Sequence, residues 1–218
     1  MKHIIFILFF IYTSCIACSS DNDKSSLPAI RPDAEGTWID PRDNSTYHWV
    51  RYGNLEWMTE NMRAKPTAGD AVLYEDASTE DVFHEYGYLY DFTGANHLNI
   101  EGWRLPSEKD WQSLERYLGM SEKETQEVGW RGHFIGELLM QDANGSGLSM
   151  KCGGYAHSLG GFGTRAFGVD GIYWSSTPDE STEGYAWCRM LTFNRSEVRR
   201  ESMTTKRYMS VRLVRDVQ

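Results

Sequence analysis

Gly102-Trp103-Arg104-Leu105-Pro106, Tyr173-Trp174-Ser175-Ser176-Thr177 and Val211-Arg212-Leu213-Val214-Arg215-Asp216 follow one another along the chain, and their reading decides the fold. The first block opens a helix: Ser107 can cap it, and Asp110 stands three residues on, where a short carboxylate partly imitates the Glu of a capping box. Trp111, Leu114 and Leu118 recur at i, i+3 and i+7 and share one face, and Gly119 is the natural stop. Trp103, Trp111 and Trp174 read as core aromatics, and Arg104 as one half of an internal pair with Asp216 or Asp110.

Outward from these blocks the pattern is mostly β. Between Thr37 and Trp57, Asp43-Asn44-Ser45 separates Trp38-Ile39 from Tyr47-His48-Trp49-Val50, the signature of a hairpin, with a third strand through Leu55-Glu56-Trp57-Met58. A long polar loop follows over 63–82, and the aromatic run Tyr86 to Phe92 reads as a strand or tight extended turn. Ser121 with Glu124 starts a second helical piece, and Phe134 to Met140 a short helix or turn. Residues 145–171 are too rich in glycine for regular helix. Tyr185 to Phe193 alternates with period two, a pattern that continues across Asn194-Arg195-Ser196, and Tyr208 to Arg215 alternates as a last strand.

The amino terminus carries an address. Met1-Lys2-His3, an apolar run Ile4 to Ile11 too short to anchor across a bilayer, and the small Ala17 before Cys18 describe a secretory signal over 1–17. Cys18 is the expected lipidation site, with Cys15 behind Ser14 the weaker candidate. Acyl chains on that thiol hold the protein to one leaflet without spanning it. Residues 18–35, polar and acidic at first and then carrying Pro28 and Pro32, read as a flexible tether, and 36–218 as one domain. The formal charge of −9 argues against nucleic acid as a partner; only Arg195 to Arg207 is locally basic. With Cys15 removed and Cys18 acylated, Cys152 and Cys188 are the remaining thiols in an oxidising space and are expected to form a disulfide, the alternative being two buried thiols.

The blocks above, with Asp43 to Tyr47, Leu55 to Met62, Tyr86 to Tyr90 and Gly153-Gly154-Tyr155, resemble in kind and order those of the bacterial family named for the major paralogous proteins of Fibrobacter succinogenes. The family is similar to C-type-lectin-like and formylglycine-generating-enzyme folds. The resemblance implies an α+β, C-type-lectin-like domain with twisted antiparallel sheets, two helices and long irregular loops. Ser19-Ser20-Asp21-Asn22-Asp23 after the cysteine resembles the surface-export signal of Bacteroidota lipoproteins. Many members place a cysteine shortly before the Gly-Trp-Arg-Leu-Pro block, where this chain has Ile100-Glu101.

Catalytic chemistry finds little support. A copper oxidase of the formylglycine type needs two soft thiolates on one strand, and Cys188 stands alone in its region. Neither Glu-Pro-Asn, Gln-Pro-Asp nor Trp-Asn-Asp occurs for calcium-dependent sugar binding, and Asp142-Ala143-Asn144-Gly145 reads as a turn. His48, His84, His97, His133 and His157 lack zinc-ligand spacing, and the serines after Trp174 lack a nucleophile elbow. No metal and no cofactor is expected. What remains is surface display: Tyr155, His157, Phe162 and Arg165 in the glycine-rich stretch are candidates for holding a ligand, with Asp179, Glu180 and Glu183 in the next loop. The sequence is thus read as a non-enzymatic outer-membrane lipoprotein that binds glycan or protein at the cell surface. The alternatives are a formylglycine-type enzyme with altered chemistry and a structural or adhesive component.

Overall fold

A computed structural model describes residues 27, 30–73, 79–141, 145–157 and 163–217. The expected signal peptide over 1–17, Cys18, Asp142 to Asn144 and Phe162 lie outside the described residues. In chain order the elements are β1 (Ala34–Ile39), β2 (Thr46–Tyr52), β3 (Leu55–Met58), β4 (Ala71–Val72), α1 (Glu80–Tyr86), β5 (Leu89–Tyr90) and α2 (Phe92–Asn96). Then come α3 (Glu108–Tyr117), α4 (Glu122–Gln126), β6 (Gly129–Arg131), α5 (Ile135–Met140), β7 (Tyr155–His157), β8 (Gly163–Arg165) and β9 (Asp170–Pro178). The chain closes with β10 (Tyr185–Thr192), β11 (Val198–Thr204), β12 (Arg207–Tyr208) and β13 (Val214–Asp216).

The expected hairpin is β1 and β2, antiparallel, with Trp38 opposite Tyr47 and Asn44 in the left-handed region at φ 61°. Adding β3 and β13 gives the sheet β1-β2-β3-β13; a second sheet runs β6-β11-β10-β9, and a small one β12-β7-β8. Every strand pair is antiparallel. Because side chains alternate along a strand, the central strands feed two cores. Trp57 of β3, Tyr173 of β9 and Val214 of β13 enter one with Trp111 and Leu114 of α3, whereas Met58, Trp174 and the adjoining Leu213 enter the other with Trp103 and Val211.

The three sequence blocks meet one another. Gly102 sits at φ +78°, a conformation that excludes most side chains, and turns the chain so that Arg104 and Val214 exchange two backbone hydrogen bonds of 2.9 Å. The Arg104 guanidinium then reaches both expected partners, Asp110 at 2.6 Å and Asp216 at 3.1 Å. Ser107 and Asp110 form a full capping box, and Thr177 of the second block adds another cap by accepting from the Glu108 backbone N–H at 3.0 Å. Trp174 N–H donates to the carbonyl of Ser210 beside the third block, at 3.2 Å. Arg212, fully buried, gives its donors to Asn61 Oδ1 and to the carbonyls of Met58, Leu148 and Ser149.

Helix α3 is bolted to the second sheet by buried charge. Glu115, wholly buried, accepts from Arg131 at 2.8 Å and Arg189 at 2.6 Å, while Glu108 accepts from Arg189 at 2.5 Å and Arg200 at 2.6 Å.

Several expectations need correction. The described residues hold five helices, because short capped turns such as α2, opened by Asp91 accepting from Gly94 N–H, carry no visible periodicity. Within the polar loop, Thr79 caps α1, and the run Tyr86 to Phe92 splits into a helix end, the two-residue β5 and a helix start. The last strand is two strands: residues 209–213 between β12 and β13 are all buried, so no exposed face remains for alternation to mark. The tether ends earlier than read, since Leu27 and Ile30 pack against the α3 core. Cys152 and Cys188 are both free. Cys188 is buried in the Met58 core and lies against the carbonyl of Glu201, whereas Cys152 packs beside Met140, 3.9 Å from its sulfur.

Candidate functional site

The glycine-rich stretch forms β7 and β8, and their register sorts its side chains. Tyr155 stands opposite Arg165, and His157 opposite Gly163 on one side and Arg207 of β12 on the other. Directly opposed residues share a face, so Tyr155, His157, Arg165 and Arg207 lie together, while Ala156 and Tyr208 are buried on the inner face near Leu89. Gly154 makes this possible: at φ +66° its backbone passes so near Arg165 that an added Cβ would lie 2.2 Å from the carbonyl oxygen of that residue.

The outer face is aromatic and cationic. Tyr155 and His157 meet edge to face at 5.2 Å, and the Arg207 guanidinium lies 5.0 Å from the Tyr155 ring centre. Arg207 donates to Met203 Sδ at 3.0 Å, and nothing bonds its buried Nε. Met203 carries the face onto β11, where Glu201 and Arg199 alternate on the same side and pair at 3.1 Å. Glu201 Oε1 and Arg199 Nε are likewise buried without partners. Burial raises the Glu201 pKa against the opposing pull of Arg199 and Arg207. Burial first, then the positive charges of Arg207 and Arg165, hold the His157 imidazole below its usual pKa, so near neutral pH it is an uncharged hydrogen-bonding group.

Elsewhere, a cleft of about 620 Å³ lies where Ile30 to Pro32 cross Trp49, Thr59 and His48. His48 Nδ1 contacts Glu60 at 2.6 Å, and Thr59 Oγ1 donates to the same carboxylate at 3.2 Å. The carboxylate stands between hydroxyl and imidazole, whereas a hydroxyl nucleophile needs the imidazole in the middle.

The model of the Fibrobacter succinogenes major domain matches residues 50–215 of the 218. The chain belongs to this family. No curated protein and no solved structure matches it. Within this Fibrobacter succinogenes major domain the three blocks build the frame, and the Tyr155 face of β7, β8 and β12 borders the core they form, with Tyr155 and Met203 packed against it.

Of the residues singled out in the sequence, the structure brings Tyr155, His157 and Arg165 together. Asp179 has a framing role instead: it is buried, accepts from Ser181 and Ser202, and its pKa is held down by those bonds. Glu180 and Glu183 are exposed in the turn beyond it. Arg207, Glu201 and Arg199 were missed as site residues. The basic stretch Arg195 to Arg207 was their signal, but only the fold shows that one end of it crosses β7. Among the described residues no cluster of metal-ligating side chains forms, and no helix is long and apolar enough to cross a membrane.

Proposed function

We propose that this Fibrobacter succinogenes major domain is the binding module of an outer-membrane lipoprotein, C-type-lectin-like in fold, which takes glycan or protein at the cell surface through the outer face of β7, β8 and β12. The observation that carries this reading is the Tyr155, His157, Arg165 and Arg207 face. Two rings and two guanidinium groups gather at the border of the Met58 core, Arg165 exposed and the other three half-buried, and the Arg207 Nε there lacks a partner. Rings stack on sugar faces, and guanidinium and imidazole groups bond hydroxyls and carboxylates, so the same side chains suit recognition without chemistry.

Detergent-solubilised full-length protein, screened on a glycan array and by cell-surface pulldown, is expected to retain a ligand that Tyr155→Ala releases. Capture undiminished in Tyr155→Ala moves the site elsewhere. The anchor is tested separately: Cys18→Ala should abolish labelling by an acyl-chain probe, and a variant that still labels is anchored through another residue.

A further inference from the structure

We infer that two neighbouring turns of the second sheet, carrying Phe167, Val169 and Phe193, rest in the same lipid leaflet that holds the acyl chains of Cys18. This rests on the anchor proposed above and adds which side of the domain meets the membrane. Phe193 opens the turn between β10 and β11 and is 61% exposed; Phe167 and Val169, 43% and 41% exposed, stand in the turn between β8 and β9. Thr192 and Asp170 are the last pair in the β9–β10 register, and the Phe193 N–H donates to the Val169 carbonyl at 2.9 Å, so both turns project from one end of the sheet. Met140 of α5 continues the apolar surface, lining one depression with Phe193. Scattered exposed apolar side chains are ordinary, but three gathered on adjoining turns mark a contact surface.

The occupant follows from where the anchored chain arrives. Leu27 and Ile30 pack on the core beneath α3, and Ile30 shares a depression with Gly132 and Ile135 at the start of α5. The next residue, Gly136, donates to the Ser196 carbonyl at 2.7 Å, in the loop that Phe193 opens. The entry point and the apolar turns are therefore joined through α5. Cys18 stands nine residues before Leu27, a stretch that spans at most about 30 Å when fully extended, so this side of the domain is held close to the leaflet. With a formal charge of −9 the chain is not drawn to anionic lipid, and the contact is apolar. The acids beside the turns are already bonded: Asp170 accepts from the Thr192 hydroxyl at 2.8 Å, Glu137 from Gln141 at 3.1 Å, and Glu197 pairs with Arg195 at 3.6 Å. Arg195 also lies 4.6 Å from the Trp130 ring centre, a guanidinium and an indole suited to the headgroup level. A second copy or another protein needs a complementary surface, whereas side chains that protrude from turn tips enter a fluid leaflet without one.

The test uses the full-length acylated protein in phosphatidylcholine vesicles that contain nitroxide-bearing lipid as a quencher. Phe193→Cys, made together with Cys152→Ser, carries an environment-sensitive fluorophore, and the same label at Glu183→Cys, exposed in the turn that leads into β10, is the control. Quenching at position 193 is expected to exceed that at 183 by about threefold or more and to persist in about 1 M salt. Phe167→Ser with Val169→Ser is expected to weaken it by about half. A label at Val169→Cys gives the same reading should Phe193→Cys fold poorly. Equal quenching at the two positions, or quenching lost in salt, overturns the inference. A blue shift at 193 that grows with protein density and brings no quenching means that a second copy covers the turns, and overturns it too. If Cys18 takes up an acyl probe while the turns stay unquenched, the anchor stands and this inference falls; if no acyl probe is taken up, both fall.

Discussion

Glu115 is the wholly buried carboxylate of the ion-pair network under α3. Two arginines converge on its carboxylate in the interior, and removing the charge leaves both guanidinium groups underneutralised away from water. Breaking such a pair from one side costs about 3–5 kcal/mol, so Glu115→Gln should lower the denaturant midpoint sharply; a loss below 1 kcal/mol would show that water reaches the site. His157 offers a pH measurement. Its folded pKa lies below the unfolded value near 6.5, so the unfolded chain binds the proton more readily. Its contribution to stability is therefore whole above about pH 6.5 and is lost as pH falls through that value toward the folded pKa. An NMR titration should place the His157 midpoint below 6.5, and Arg207→Gln should raise it; a midpoint unmoved by that change would mean that burial and Arg165 set it. At this scale the sequence spoke clearly for Trp103, Trp111, Trp174 and the Arg104 pairs, all carried by the recognisable blocks and the helix that the first of them opens. It was silent on Glu115, since nothing in Leu114-Glu115-Arg116 tells a buried carboxylate from a solvated one.

Among the elements, α3 was readable almost to the residue, because Ser107, Asp110 and the spacing of Trp111, Leu114 and Leu118 are all short-range signals. Ser107→Ala should cost about 1 kcal/mol in chemical denaturation. Asp110→Ala should cost more, since it removes the return bond of the capping box and the salt bridge to Arg104 together; equal losses would mean that the bridge contributes nothing. The β1 and β2 hairpin and β10 were legible for the same reason, each showing alternation against a buried face. Short elements were not. A two-residue strand such as β12 has no period to detect, and its place beside β7 depends on a pairing some fifty residues away in the chain. The candidate site suffered the same way: three of its residues sit in one glycine-rich stretch that invites attention, whereas Arg207 and Glu201 arrive from a different strand pair.

For the molecule as a whole, the expectation of a covalent staple gave way to two free thiols, so cohesion rests on the two aromatic cores and the buried ion pairs. Adding reductant should then leave the thermal midpoint unchanged, and unreduced protein treated with iodoacetamide should be modified at half-buried Cys152 well before Cys188, whose pKa burial drives far up. A linked Cys152 and Cys188 peptide in that digest would restore the bridge. The sheet order β1-β2-β3-β13 has one more consequence. The free edge of β3 is covered by a strand made more than 150 residues later, and the Arg215 to Glu56 pair and the Arg212 to Asn61 bond span the same interval. Such distant pairings form late and slowly. While the ribosome is still working, the β1-β2-β3 meander therefore has nothing to close against along its β3 edge. The sheet therefore cannot close until residues 211–216 have been made, and a chain cut short before them is left with an open edge at β3.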